Sequence, residues 1–134
     1  MAAKAKPVRQ LTPLELQIMK VLWRSGPGTV QTVLGGLGDG PKLAYTTVQT
    51  MLNVLHRKGH VKRALRGKAF EYQPLLSKDR ASRNAVRDMV DRLFAGSVEG
   101  LLMTLVKSKE LNPKNFAKLK AAIDKYEEEN HGGN

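Results

Sequence analysis

Residues 42–74 read KLAYTTVQTMLNVLHRKG and then HVKRALRGKAFEYQP, which predicts an amphipathic helix followed by a short basic hairpin. Hydrophobic residues recur along the helix at the i, i+3, i+4 and i+7 spacing, at Val48, Met51, Leu52 and Leu55. The opposite side carries hydroxyl, amide and guanidinium groups, on Thr46, Thr50, Asn53 and Arg57. One side therefore suits a hydrophobic core, and the other suits polar contacts.

The polar side of this helix is unusually rich in threonine. β-Branched residues lower helix propensity, so threonines at 46, 47 and 50 need a reason other than helix formation. Hydroxyl and amide groups can exchange hydrogen bonds with base edges in the major groove of DNA. Residues near the start of a recognition helix reach the bases most directly. We therefore predict base contacts from Tyr45, Thr46, Thr47, Gln49 and Thr50.

The hairpin that follows carries a cluster of positive charge. Its predicted strands, residues 60–65 and 69–73, are joined by a three-residue turn at 66–68, and Phe70 and Tyr72 are expected to pack on the helix. Solvated charge is common on hairpins, but the position beside a recognition helix favours contact with phosphates. The predicted contacts to the DNA backbone are Thr29, Lys42, Asn53, Arg57, Lys62, Arg63, Arg66 and Lys68.

Two shorter segments before residue 42 also predict helices. Thr12 and Glu15 form the ends of a capping box around Pro13, and Gly26 ends that helix. Thr29 can cap a second, short helix, and a glycine-rich turn leads from it to residue 42. Three helices followed by a two-stranded wing form a winged helix-turn-helix domain, which we assign to residues 11–76.

The C-terminal half predicts three more amphipathic helices, which begin after Ser77, Ser97 and Asn112. They are too few to bury an independent core, so they either pack against the first half or pair with a second copy of the chain. We favour a homodimer, with residues 77–128 as the helical dimerisation domain. Its predicted contact residues are Val86, Met89, Val90, Leu93, Leu101, Leu102, Leu105, Phe116, Leu119 and Ile123.

The fold class predicted from these segments is mainly α with a small β-wing. A winged helix-turn-helix domain is joined to a C-terminal helical dimerisation region. Residues 1–10 are expected to form a flexible basic arm, and residues 129–134 a frayed tail.

Net charge differs sharply between the two halves of the chain. Residues 1–76 hold 12 Lys and Arg against 3 acidic residues, a net of +9, whereas residues 77–134 hold 11 against 9, a net of +2. The total of +11 favours a polyanionic partner, and the basic half is the one that contains the predicted recognition helix. Double-stranded DNA is the partner that fits both observations.

Composition argues against several other classes of protein. The chain has no cysteine, which excludes disulfides, thiolate metal sites and cysteine nucleophiles. His56 and His60 have a helical spacing, but a glycine intervenes and no third ligand is evident, so no metal is predicted. No catalytic carboxylate pair or nucleophile–base pair is visible. We expect a cytoplasmic protein that is not an enzyme, needs no cofactor and does not insert into a membrane.

Several motifs, in this order, resemble the penicillinase-repressor family. They are LTPLELQIM at 11–19 with VLW at 21–23, AYTTVQTML at 44–52, KGHV at 58–61 and FEYQP at 70–74, and the likeness extends to about residue 125. The family includes repressors of β-lactamase and methicillin resistance, and copper-responsive repressors of related fold. The resemblance implies a homodimeric winged-helix repressor that dimerises through its C-terminal helices and binds inverted-repeat operators.

Two departures from the family qualify this resemblance. The copper-responsive members carry C-terminal cysteine pairs, and this chain has none, so metal sensing is not implied. In the antibiotic-responsive members an Asn-Phe bond in the penultimate helical segment is cut on induction. The matching bond here is Thr104-Leu105, whose surroundings match but whose residues differ. Cleavage there by a membrane sensor protease is a hypothesis.

The function predicted from the sequence is that of a sequence-specific transcriptional repressor, which binds inverted-repeat operators as a homodimer. The alternative is a winged-helix module that binds another protein and has no specific DNA target.

Overall fold

The computed structural model describes residues 10–40 and 42–131, and the chain divides into two compact units at residues 86 and 87. The predicted arm at 1–10 lies outside the described residues except for Gln10. The elements are α1 (Pro13–Ser25), α2 (Val30–Gly36), α3 (Tyr45–Arg57), β1 (Val61–Arg66), β2 (Ala69–Pro74), α4 (Lys78–Leu93), α5 (Val98–Lys107) and α6 (Pro113–His131). The predicted fold class, mainly α with a small β-wing, is confirmed.

The first helix begins where local hydrogen bonds satisfy its free amide groups. Glu15 N donates to Thr12 Oγ1 at 3.2 Å, and Thr12 N donates to Glu15 Oε1 at 2.8 Å, so the predicted capping box is present. Gly26 ends the helix with a φ of +84°, a conformation that disfavours any residue with a Cβ.

The core of the first unit lies between α1, α2 and α3. On α3, the three fully buried residues are Val48, Leu52 and Leu55, with Met51 partly buried beside them, as the hydrophobic spacing predicts. Each such side chain contributes roughly 1.5–3 kcal/mol when removed from water. Their partners in the core include Ile18, Met19, Leu22, Val30, Val33, Val61 and Tyr72. The inner side of α3 is thus fixed by packing on every neighbouring element of the unit.

The wing is a two-stranded antiparallel sheet whose register runs from Val61 opposite Pro74 to Arg66 opposite Ala69. The predicted three-residue turn is wrong, because Arg66 still pairs in the sheet and only Gly67 and Lys68 form the turn. Gly67 has a φ of +63°, which suits the first position of a two-residue hairpin turn.

A third segment, which the sequence analysis missed, adds to the wing. Gly28 and Tyr72 form an antiparallel bridge, with N···O distances of 2.9 and 2.7 Å in the two directions. The bridge ties the link between α1 and α2 to β2, whose Tyr72 also donates a hydrogen bond to Asn53 of α3.

An ion pair joins the beginning of α1 to the end of α3. Lys58 Nζ donates to both oxygens of Glu15, at 2.9 and 2.7 Å, and Glu15 is only 2% exposed. Burial raises the pKa of Glu15, but the hydrogen bonds from Lys58 and Thr12 and the Lys58 charge together lower the pKa below its ordinary value of 4.5. The carboxylate therefore remains charged inside the fold.

The first compact unit extends beyond the predicted domain end at residue 76. Trp23 Nε1 donates to the Leu76 carbonyl at 2.8 Å, and Ala81 of α4 packs against the core of the first unit. The first half of α4, up to residue 86, therefore belongs to this unit. Ser77 caps α4 as predicted, because its hydroxyl accepts a hydrogen bond from Arg80 N.

The second unit contains the end of α4 together with α5 and α6. Ser97 caps α5, and Asn112 and Asn115 exchange hydrogen bonds at the start of α6. Of the predicted frayed tail, residues 129–131 continue α6, where Asn130 Nδ2 donates to the Tyr126 carbonyl at 2.8 Å, and residues 132–134 lie outside the described residues. Neither α5 nor α6 contains a fully buried residue.

Candidate nucleic-acid interface

The outer side of α3 is open to solvent. Tyr45 is 45% exposed, Thr46, Gln49 and Thr50 are also exposed, and Thr47 is half-buried. These are the five residues predicted to contact bases, and the structure places them together on the first two turns of the helix. Because the opposite side is fixed in the core, their backbone positions are determined before any partner arrives.

The beginning of α3 differs from those of α1 and α2. Thr12 and Thr29 cap the earlier helices with their hydroxyls, whereas Ala44 at the start of α3 offers no side-chain hydrogen bond, and the first turn has no acidic residue. Helix N-termini carry unpaired amide donors and partial positive charge, which favour a phosphate. Lys42 is exposed just before this end.

Asn53 was predicted to contact the DNA backbone, but the structure gives its side-chain oxygen a role within the fold. Arg63 Nη1 and Tyr72 Oη both donate to Asn53 Oδ1, at 2.8 and 3.1 Å. The Arg63 guanidinium also lies over the Phe70 ring, 4.3 Å from its centroid. These contacts fix the wing against α3, so Asn53 and Arg63 are less available to phosphates than the prediction assumed.

The remaining basic residues of the wing lie elsewhere on the hairpin. Side chains alternate between the two faces of a strand, so Lys62 and Arg66 project from the face opposite Arg63. Arg66 also lies 3.4 Å from a carboxylate oxygen of Glu71, an exposed pair that contributes little stability. Lys68 is exposed in the turn itself. Lys62 and Lys68 are therefore the more available cations of the wing.

The last two residues predicted to contact the DNA backbone, Arg57 and Thr29, differ in how free their side chains are. Arg57 is exposed at the last position of α3. The Thr29 hydroxyl already accepts from Thr32 N at 3.2 Å and lies 3.0 Å from the Thr32 hydroxyl. Its hydrogen-bonding capacity is thus partly used in capping α2.

The second unit presents many hydrophobic side chains to solvent. Leu93, Leu102, Phe116, Leu119 and Ile123, all predicted to contact a second copy, are between 39% and 74% exposed, whereas Leu101 and Leu105 are half-buried. Residues outside the predicted set that share this exposure are Val98, Met103, Val106 and Tyr126. Exposed hydrophobic area on this scale is typical of a surface that another molecule covers.

Val90 departs from the rest of the predicted dimer contacts. It is only 6% exposed in the single chain, so association removes almost no further area from water at this position. Met89 and Val86, on the same helix, are 36% and 47% exposed.

The Thr104–Leu105 bond lies inside α5. The Thr104 hydroxyl donates to the Gly100 carbonyl at 3.0 Å, and Thr104 is exposed. A protease needs an extended substrate, so cleavage of this bond requires local unwinding of α5.

Two features of other classes of protein are absent from the described residues, namely membrane-spanning helices and clusters of metal-binding side chains. Within residues 10–40 and 42–131, no helix is both long enough and hydrophobic enough to cross a lipid bilayer. No group of three or more metal-binding side chains occurs there either.

Comparison with known proteins identifies the family. The penicillinase repressor family matches residues 11–125. The chain belongs to this family. The penicillinase repressor of Bacillus licheniformis is 22% identical over 121 residues, which cover 90% of this chain and 94% of that protein. The methicillin resistance regulatory protein MecI of Staphylococcus aureus is 16% identical over 116 residues, which cover 87% and 94%.

A solved structure of a repressor also resembles part of the chain. The solution structure of monomeric BlaI of Bacillus licheniformis, in complex with the blaP half-operator, is 29% identical and covers 55% of this chain and 89% of that one, with a TM-score of 0.47. Membership of the penicillinase repressor family confirms the predicted class, a DNA-binding transcriptional repressor and not an enzyme.

Three features of the site were missed in the sequence analysis. They are the Glu15–Lys58 ion pair, the bridge between Gly28 and Tyr72, and the use of Asn53 by the wing. For the use of Asn53 by the wing, the sequence offered a usable signal. Side chains alternate along a strand, and Arg63 and Tyr72, which both bond to Asn53, are paired on one face of the hairpin. The other two join residues far apart in sequence and leave no local pattern.

Proposed function

We propose that this member of the penicillinase repressor family represses transcription as a homodimer bound to an inverted-repeat operator. The observation that carries the proposal is the division of α3: Val48, Leu52 and Leu55 are buried, while Thr46, Gln49 and Thr50 are open. A helix held this way can enter a major groove without losing its own packing. Tyr45 and Thr47 complete the proposed base contacts.

The proposed phosphate contacts surround this helix. The uncapped start of α3 and exposed Lys42 form one group, Lys62 and Lys68 of the wing form a second, and Arg57 forms a third. Contacts of this kind supply most of the salt-dependent affinity and set the orientation of the protein on the duplex. The side chains of four further predicted residues already contact another residue of the fold: Thr29, Asn53, Arg63 and Arg66. We therefore retain them only as secondary candidates for phosphate contact.

Dimerisation is proposed through the hydrophobic surface of the second unit. Two copies that each present such a surface can cover it with a two-fold interface, in which the same patch serves both subunits. A two-fold protein matches a two-fold operator, whose half-sites are separated by one helical turn of DNA or a multiple of it. A repressor of this kind acts where the chromosome is, so we propose a cytoplasmic location.

The experiment that tests the proposal is a titration of the full chain against two DNA duplexes at two salt concentrations. One duplex is the region upstream of the protein's own gene, and the other has the same bases in shuffled order. We expect tighter binding to the upstream duplex at both salt concentrations. Equal affinity for the two duplexes contradicts a specific repressor and leaves the alternative of a protein-interaction module.

Two substitutions separate base contact from phosphate contact. Thr47→Ala should weaken binding to the upstream duplex by about 1–3 kcal/mol and leave binding to the shuffled duplex almost unchanged, because it removes a base-reading group. Lys68→Ala should weaken both alike and reduce the slope of log affinity against log salt by about one. Fluorescence anisotropy at several salt concentrations measures both. If Thr47→Ala weakens the two duplexes equally, Thr47 does not read a base.

We also propose that induction involves cleavage between Thr104 and Leu105 by a membrane sensor protease. The bond lies within the hydrophobic surface of the second unit, so a cut there would disrupt the surface proposed for dimerisation. Mass spectrometry of the protein recovered from induced cells should show a fragment that ends at Thr104. Recovery of intact chain alone from fully induced cells contradicts this route.

A further inference from the structure

Asn53 joins the exposed side of α3 to the wing. It follows Gln49 by four positions and Thr50 by three, so it lies one helical turn beyond two of the proposed base contacts, on the same side of the helix. Its Oδ1 accepts hydrogen bonds from Arg63 Nη1 of β1 at 2.8 Å and from Tyr72 Oη of β2 at 3.1 Å. A single side-chain oxygen is thus bonded to both strands of the wing.

Two points of attachment fix the direction in which the wing extends. Tyr72 is only 2% exposed, and its side chain lies in the core while its backbone pairs with Gly28, so β2 is held at this residue. One held residue alone would let the hairpin tilt about it. The bond between Arg63 and Asn53 holds β1 as well, on the face of the sheet toward α3, and restrains this tilt.

The outer part of the wing projects into solvent. Every residue from 64 to 70 is exposed, and Lys68 lies in the turn at the far end. Strands rise about 3.3 Å per residue, so the three steps from Arg63 to Arg66 place the turn about 10 Å beyond the Asn53 bond. Over that length, a tilt of about 20° moves the turn by roughly 3 Å, which is as far as the donor–acceptor distance of a hydrogen bond. A small tilt therefore decides whether Lys68 reaches a phosphate.

We propose that Asn53 is a positioning residue, which sets the angle between α3 and the wing and thereby aligns the wing lysines with the phosphates while α3 lies in the major groove. This role rests on the DNA-binding function proposed above. It differs from a direct phosphate contact by Asn53, because an amide carries no charge and releases no counterion when it meets DNA. Loss of Asn53 Oδ1 should therefore act on DNA binding through Lys62 and Lys68.

The position of the wing can be measured without DNA. The chain has no cysteine, so Lys20→Cys and Lys68→Cys place one spin label on α1 and one on the turn, and an excess of unlabelled chain removes distances between subunits. Double electron–electron resonance should give a narrow distance distribution with Asn53 and a clearly broader one in Asn53→Leu, whose side chain has a similar size and no acceptor. Asn53→Ala, which leaves room for water beside Tyr72, should behave in the same way. Equally narrow distributions in both variants overturn the proposal.

The salt dependence of DNA binding gives a second readout. Asn53→Leu should lower the slope of log affinity against log salt by about one to two, although it removes no charge, because phosphate contacts of the wing are lost. Asn130→Leu, the same change at an exposed asparagine of α6, should leave the slope unchanged. Reduced affinity with an unchanged slope in Asn53→Leu indicates a direct contact between Asn53 and DNA, which contradicts the positioning role.

A double-mutant cycle shows whether the loss passes through the wing. Substitutions at sites about 10 Å apart with no shared partner normally add, so coupling between Asn53 and Lys68 reports on the orientation of the wing. The loss of affinity caused by Lys68→Ala should be at least about twofold smaller in the Asn53→Leu protein than in the unsubstituted one. Asn53→Asp keeps the acceptor for Arg63, so the full Lys68→Ala effect should return. Circular dichroism checks that each variant is folded.

The positioning role and the proposed function fail in different ways. Phosphate contacts carry no sequence information, so the slope and the cycle can be measured on the shuffled duplex as well. Equal affinity of the unsubstituted protein for both duplexes contradicts the specific repressor and leaves the Asn53 comparison intact. An undiminished Lys68→Ala effect in folded Asn53→Leu overturns the positioning role alone.

Discussion

Phe116→Asp should convert the protein from a dimer into a monomer. Phe116 is 52% exposed in the single chain and lies on the hydrophobic surface proposed for dimerisation, where a buried carboxylate without a partner is strongly unfavourable. The residue lies in the first turns of α6, where a negative charge favours the helix, so the chain itself should remain folded. Sedimentation velocity measures the mass directly.

The loss of the dimer should also weaken binding to a two-fold DNA site. Linking two half-site contacts in one body raises the effective affinity, so the monomer should bind about 10²–10⁴-fold more weakly. Leu75→Asp is the matched control, because Leu75 is 54% exposed but belongs to the first unit. A dimeric Phe116→Asp variant with unchanged operator affinity contradicts dimerisation through this surface.

Lys58→Met should lower the free energy of unfolding by about 2–3 kcal/mol, because it leaves the buried Glu15 carboxylate without its ion-pair partner. Methionine keeps much of the length of the side chain and removes the charge. Urea denaturation measures the change. Lys118→Met, at an exposed lysine of α6, should change the stability by less than about 0.5 kcal/mol. The double variant Glu15→Gln/Lys58→Met should recover part of the loss, since no uncompensated charge remains.

The same ion pair gives the stability a defined pH dependence. The pKa of Glu15 is lower in the folded chain than its ordinary value of 4.5, so its contribution is fully present above that pH and is lost as the pH falls through the folded pKa. The difference in unfolding free energy between the unsubstituted protein and Glu15→Gln should therefore narrow as the pH is lowered below 4.5. A difference that grows on acidification contradicts a charged Glu15 in the native state.

Features set by neighbouring residues could be predicted from the sequence. The capping box at Thr12 and the buried stripe of Val48, Leu52 and Leu55 depend on spacings of three or four residues, and both are present. The outer side of α3 follows from the same periodicity. The class of protein was likewise predictable, because motifs along residues 11–74 occur in the order found in the family.

Features that join distant residues were not predictable in the same way. Glu15 and Lys58 are 43 positions apart. The neighbouring residues in the sequence indicate only a capping role for Glu15 and an exposed position for Lys58. Asn53 was assigned to DNA because it lies on the polar side of α3, but its oxygen faces the wing, whose position follows from tertiary packing. Val90 fits the periodic stripe of α4, yet it is already buried within the single chain.

The central claim is that the open side of α3 reads DNA sequence in two symmetric half-sites, and selection from random duplexes tests it most directly. The full chain is incubated with a pool of random double-stranded DNA, and the bound molecules are recovered, amplified and sequenced over several rounds. We predict enrichment of an inverted repeat, with half-site preferences that relax in the Thr47→Ala protein. Recovery of bound DNA with no common sequence would contradict the claim.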